Sequence, residues 1–169
     1  MSLGATSISA LAETSIEPAG GETSIEPILG WRVWHVDPGA GQPRLCSWSQ
    51  SAEWPARRRM EAGCRALLGL RWRARGHGAP RAGHRCGIYA FHERRDAEAL
   101  LRELGPVGAA AGRLPAAIGR VSLWGRVIEN TGGWRAEFAY PYDVVLFGAD
   151  TSLAAELRSR YAVDVSLGD

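Results

Sequence analysis

The sequence contains no lysine; all 20 of its basic residues are Arg. Together with its abundance of Ala and Gly, this usage reflects a GC-rich genome as simply as it reflects guanidinium chemistry. Cysteine is scarce as well, and three thiols cannot complete a disulfide framework. Residues 1–30 have neither a basic leader nor an apolar core long enough for export. No stretch approaches the ~18–20 apolar residues that a membrane-spanning helix requires. These absences argue against a disulfide scaffold and a helical membrane protein. They set the expectation of a reducing cytoplasm, where clustered Cys and His act as metal ligands.

What is present is enough for one folded domain. Of 169 residues, 46% are hydrophobic and 22% charged, an ordinary balance for a chain that buries a core. The net charge of +2 conceals an uneven distribution. Residues 1–30 carry four Glu and no Arg, whereas residues 57–85 carry nine Arg against Glu61 alone. Such asymmetry bears on partners more than on fold.

Residues 1–29 have the composition of a disordered or extended tail, rich in Ser, Thr, Gly and Glu and lacking aromatics. The hexapeptide ETSIEP occurs twice there, at 13–18 and 22–27, with Ile16 and Ile25 as apolar anchors. It reads either as a duplicated solvated linker or as a tandem docking peptide, since repetition raises avidity without new contacts. Residues 30–169 form the second unit, with the core starting near Trp31. WRVWHV (31–36) has strand character and is followed by the turn DPGAGQP; RLCSWS (44–49) is its hairpin partner. Residues 53–75 leave helix and loop open. GIYAF (87–91) is a short strand, and ERRDAEALLREL (93–104) is a helix with Ala97, Leu100, Leu101 and Leu104 on one face. Residues 117–129 alternate as one long strand or a bent pair, with a bulge or close backbone approach at Gly125; NTGG is a turn and 134–140 the returning antiparallel strand, with Trp124 and Phe138 in the core. A strand at 143–147, a helix at 152–161 capped by Asp150 or Thr151, and a strand at 163–165 close the chain. The fold class is α+β: a single domain built on a mainly antiparallel sheet or small, partly open barrel with two helices.

WRVW, a Cys/His cluster leading into CGIYAF, IGRVSLWGRVIE, GWRAEFAYP and a final RYAVDV follow one another in that order. This pattern, over about residues 31–165, resembles a group of small uncharacterised bacterial proteins with one domain and the same order of blocks. The resemblance implies Cys in similar proteins at the position of His84, an exchange that preserves metal ligation.

The cluster itself is Cys64-x12-His77-x6-His84-x-Cys86. Two thiolates and two imidazoles close a tetrahedral zinc site of the structural kind, and Gly76, Gly78, Pro80 and Gly83 supply a backbone tight enough to wrap an ion. The plainer alternative is two surface His and two inert thiols; a reactive thiol is a third. Structural zinc is the expected cofactor. Cys46, in a strand, reads as core, His35 as a solvent-facing residue, and His92 as the start of a helix.

Around the cluster, Arg57, Arg58, Arg59, Arg65, Arg71, Arg73, Arg75, Arg81 and Arg85 lie among Trp54 and Trp72. Guanidinium groups interleaved with indoles suit phosphate backbones and unstacked bases. The expectation is a binding module for nucleic acid or an acidic protein, carried by Arg57–Arg59, Arg71, Trp72, Arg73 and Arg75. The acidic tail could fold back on these cations, or serve as an adaptor docking to a larger complex. No motif names a reaction, which leans away from an enzyme. One alternative remains: GIYAF, a helix and RVSLWGRV in that order resemble ADP-ribosyltransferase-like folds. That resemblance would put Tyr89 against the nicotinamide of NAD and Glu129 or Glu137 at its ribose. The chain departs from those enzymes in lacking their N-terminal Arg- or His-containing motif.

Overall fold

The computed structural model describes residues 26–39, 41–48, 52–64, 77–104 and 114–168. Both ETSIEP copies except Glu26 and Pro27, together with Arg65, Arg71, Trp72, Arg73 and Arg75, lie outside the described residues.

The expected aromatic strand is β1 (Ile28–Asp37), which begins at Ile28, ahead of Trp31. Asp37 then turns the chain by accepting the Gly39 N–H at 3.0 Å, and β2 (Arg44–Ser47) returns as the antiparallel partner, Val36 opposite Leu45. Two-residue β3 (Met60–Glu61) and β4 (Ile88–Phe91) follow, then α1 (Arg94–Leu104). Ala97 of α1 is fully buried, and with Leu100 and Leu101 it packs on Val33, Ile118 and Trp31. This is the apolar stripe that the three–four spacing requires.

The long hairpin is β5 (Ala116–Asn130) and β6 (Gly133–Pro141), closed by Asn130 opposite Gly133. After it come β7 (Asp143–Phe147), α2 (Thr151–Tyr161) and β8 (Asp164–Leu167). The Asp150 side chain caps α2, accepting the Leu153 N–H at 2.9 Å. The eight strands form one sheet in the order β2-β1-β4-β6-β5-β7-β8, with β3 on β6 and β1 pairing β5 as well. Pairing is antiparallel throughout except between β7 and β8, which the intervening α2 makes parallel; a parallel neighbour needs a crossover of that length. The α+β single-domain reading therefore holds, with one mainly antiparallel sheet.

The core assigns its aromatics differently from the sequence reading. Trp34, Trp54 and Tyr161 are 0%, 1% and 1% exposed, and Trp34 meets Trp54 edge-to-face at 5.5 Å. Trp54 is thus a core residue, with no free face for a base. Trp124 and Phe138, expected in the core, are only half-buried and pair with each other at 6.2 Å. The register explains this: Leu123 and Ala139 are an inward-facing pair, which turns the next pair, Trp124 and Phe138, outward. His35, expected at the surface, is half-buried against the Trp48 ring at 5.5 Å; burial lowers its pKa and Asp37 partly opposes this.

The bulge does fall at Gly125, where the β5–β6 register slips between Trp124 and Val127. Its φ is +75°, and a Cβ there would lie 2.7 Å from the Phe138 ring. We expect Gly125→Ala to cost about 1–3 kcal/mol in urea unfolding, from left-handed strain and the clash together. An unchanged midpoint would show that the bulge relaxes freely.

Candidate metal centre

Cys64 lies three residues beyond β3, on a segment tied to β6 by the Ala62 N–H donating to Glu137 O at 2.8 Å. His77, His84 and Cys86 all lie on the connection into β4. That connection is held against the β5–β6 hairpin by two guanidinium groups. Arg126 donates to Gly78 O at 3.3 Å and to Pro80 O at 3.4 Å. Arg135, which is 7% exposed, donates to His84 O and to Cys86 O, the latter at 3.2 Å. Carbonyls of a loop with no ladder partners are thereby satisfied, and two of them belong to the expected ligands themselves.

The four side chains converge. Their ligand atoms all lie within 4.8 Å of one another, close enough to hold a metal ion. Cys64 Sγ and His84 Nδ1 are 3.6 Å apart, and the His77 and His84 rings meet edge-on at 4.8 Å. Metal–ligand bonds of ~2.0–2.3 Å set ligand–ligand edges of about 3–4 Å, so the widest separations must contract by about 1–2 Å around an ion. His77 Nδ1 lies 3.0 Å from Gly78 O. With its proton donated there, Nε2 is the free ligand atom, an orientation common among metal-bound imidazoles. Cys86 is buried, Cys64 and His77 half-buried, and His84 exposed. Burial pushes the Cys64 thiol pKa up, and the neighbouring Cys86 sulfur adds to the rise. Two adjacent thiolates repel, whereas a divalent cation between them removes the cost of ionising both. Cys46 stands apart in β2, buried, its pKa raised chiefly by burial.

Arg135 was not singled out from the sequence, yet it touches the backbone of two ligands. We expect Arg135→Met to weaken metal affinity about tenfold or more, as loss of a ligand-positioning partner does, measured by competition with a chromogenic chelator. Unchanged affinity would make the arginine a fold residue only.

Two of the three cations at 57–59, Arg57 and Arg59, have partners within the fold. Arg57 adopts φ 57°; its N–H donates to Tyr140 Oη at 2.8 Å and its guanidinium to Ser159 O at 2.7 Å. Arg59 lies over the Phe138 ring at 4.1 Å and 3.9 Å from Glu61. Arg58, Arg81 and Arg85 are exposed. For the NAD-site alternative, Tyr89 pairs with Arg135 and Arg135 with Ile128, while Glu129 pairs with Trp134. Tyr89 and Glu129 therefore occupy alternate positions and face opposite sides of the sheet. Glu137 accepts the Arg126 N–H at 3.1 Å, within the bulge. Glu129 also meets His92 Nε2 at 3.3 Å, a carboxylate that sequence proximity did not reveal; this imidazole meets the Trp134 ring edge-to-face at 4.2 Å.

No protein-family model, curated protein or solved structure matches this chain. No helix among the described residues is long and apolar enough to cross a membrane.

Proposed function

We propose that this chain is a zinc-stabilised, non-catalytic binding module whose Arg-rich segment engages single-stranded nucleic acid. The observation that carries the reading is the convergence of Cys64, His77, His84 and Cys86. Two sulfurs and two nitrogens match the closed donor set of structural zinc, with no position left for substrate. The same convergence has a topological consequence. Cys64 and His77 flank the segment that carries Arg65, Arg71, Trp72, Arg73 and Arg75, so one ion ties both ends of it to the sheet. A segment closed in this way loses less entropy on meeting a ligand than a free tail does. Four cations and an indole provide phosphate contacts and a stacking surface. Exposed Arg58, Arg81 and Arg85 add to the positive potential nearby. The free thiols suit a reducing cytoplasm. The group of bacterial proteins with the same block order would share the metal loop.

Zinc-loaded protein should bind a fluorescent single-stranded oligonucleotide with an affinity that falls as salt rises. Replacing Arg71, Arg73 and Arg75 by Gln should weaken binding and lower the log–log salt slope by about 2, at ~0.7 per phosphate contact on single strands. Binding that is absent, or whose salt slope the triple variant leaves unchanged, overturns the nucleic-acid reading. Binding of an acidic polypeptide in its place would assign the segment to a protein partner.

A further inference from the structure

The first strand carries a charge that the fold does not balance. Arg32 shares strand parity with Trp34 and Val36 in β1, so its stem runs toward the interior. One of its N–H groups donates to Tyr89 O and another to Ser47 Oγ at 3.1 Å, while its buried Nε has no partner. Arg44, Arg120 and Arg160 each pair with a carboxylate, but Arg32 has none among the described residues. The Trp54 ring, 5.0 Å from the guanidinium carbon, supports it from one side. Burial lowers its pKa to about 10, which leaves it charged at neutral pH. Arg32 is half-buried, and a cation partly withdrawn from water without a counter-ion carries a desolvation cost that an anion would relieve.

Arg32 lines a cavity of about 400 Å³ with Ser47, Trp48, Arg85, Tyr89 and Phe91. That volume lies within the ~300–1,000 Å³ typical of small-molecule sites. Arg32, Ser47 and Trp48 each bring a donor to its lining. Ser47 Oγ already accepts from Arg32 and from Trp54 Nε1, the latter at 2.9 Å, which leaves its own hydrogen to give. Trp48 Nε1 is a second buried N–H without a partner. The carboxylate of Glu61, also on the lining, lies 3.9 Å from Arg59. A cavity that combines one held guanidinium, a hydroxyl donor and aromatic walls selects a planar anion with an apolar body.

We propose that this cavity binds a small aromatic carboxylate, its anionic group on Arg32 and Ser47 and its ring against Trp48 and Phe91. Arg85, exposed at the same cavity, is the second cation and attracts the anion to the entrance. Arg32, Ser47, Trp48 and Phe91 fall outside residues 57–85, so the proposal does not rest on the nucleic-acid reading.

The test uses the full chain loaded with zinc, because Cys86 also lines the cavity. 2-Naphthoate, its neutral amide and inorganic phosphate are titrated by calorimetry, with indole N–H shifts followed by NMR. The carboxylate is expected to bind and to shift indole N–H resonances, with the amide about tenfold weaker or worse, as loss of a charge-assisted pair implies. Arg85→Gln should weaken the carboxylate about three- to tenfold through lost attraction. Arg32→Met should abolish binding while circular dichroism stays native; if that variant does not fold, Arg32→Lys provides the check through at least a several-fold loss. Equal affinity for acid and amide, binding of phosphate alone, no binding of the carboxylate, or full affinity in a folded Arg32 variant each overturns the proposal.

Discussion

Chelating the proposed zinc ion should lower the melting temperature of the purified chain by ~10 °C or more, because the free energy of binding a structural ion is itself folding free energy. Cys64 and the connection into β4 meet at one cluster, and among the described residues these segments have few ladder hydrogen bonds to hold them in its absence. Metal analysis of protein prepared without chelators should return about one zinc per chain, the stoichiometry of a closed Cys2His2 site. Cys86→Ala, which removes the buried ligand, should aggregate or melt early. Cys46→Ala, at a buried thiol outside the cluster, should keep its zinc. A content below about 0.2 zinc per chain, or a chelator that leaves the melting curve in place, would remove the metal centre. The arginine segment would then have lost its anchor as well.

Tyr161→Phe should destabilise the fold by about 2–4 kcal/mol, although it deletes one oxygen. Tyr161 is 1% exposed; its hydroxyl donates to Trp54 O at 2.9 Å and accepts the Leu45 N–H at 3.0 Å. The variant leaves a buried carbonyl and a buried amide without partners and loosens the tie of α2 to β2 and to the Trp54 segment. Tyr140→Phe is the milder comparison, since Tyr140 is less buried and bridges Arg57 N and Tyr161 O. Burial raises the Tyr161 pKa above the usual tyrosine value of about 10. The folded state therefore keeps this proton to higher pH than the unfolded chain does. The resulting stability is complete below the unfolded pKa and is lost as pH rises through the folded one. Denaturant melts across alkaline pH should show this loss in the parent and less of it in Tyr161→Phe; equal slopes would assign the alkaline loss to another group.

Local pattern carried most of the secondary structure. The aromatic and β-branched character of WRVWHV, the alternation in residues 117–129, the apolar stripe of α1, Asp150 before α2 and the glycine at the bulge each express a constraint within a few residues of chain. Which alternate set faces inward is a different question. The Leu123–Ala139 pairing decided that Trp124 and Phe138 turn outward, and the packing of α2 drew Trp54 into the core beneath Tyr161. The parallel β8 also follows from the crossover rather than from its own four residues.

The metal cluster was readable because Cys and His are rare in this chain and fall within 23 residues, so spacing alone limited what could meet. The guanidinium groups that hold its loop were not readable, because Arg126 and Arg135 come from a hairpin some 40 to 60 residues later and look like any solvated strand charge. Arg32 did leave a trace, an Arg at the parity of Trp34 and Val36. By itself the sequence determined which short segments become strands and helices and which four side chains suit an ion, because periodicity and ligand chemistry act locally. Only the tertiary structure decided which arginines are tied down, which aromatics form the core, and that Arg32 and Arg135 turn inward with no carboxylate beside either among the described residues. Those outcomes depend on contacts between segments far apart in the chain, where register and burial choose the partners.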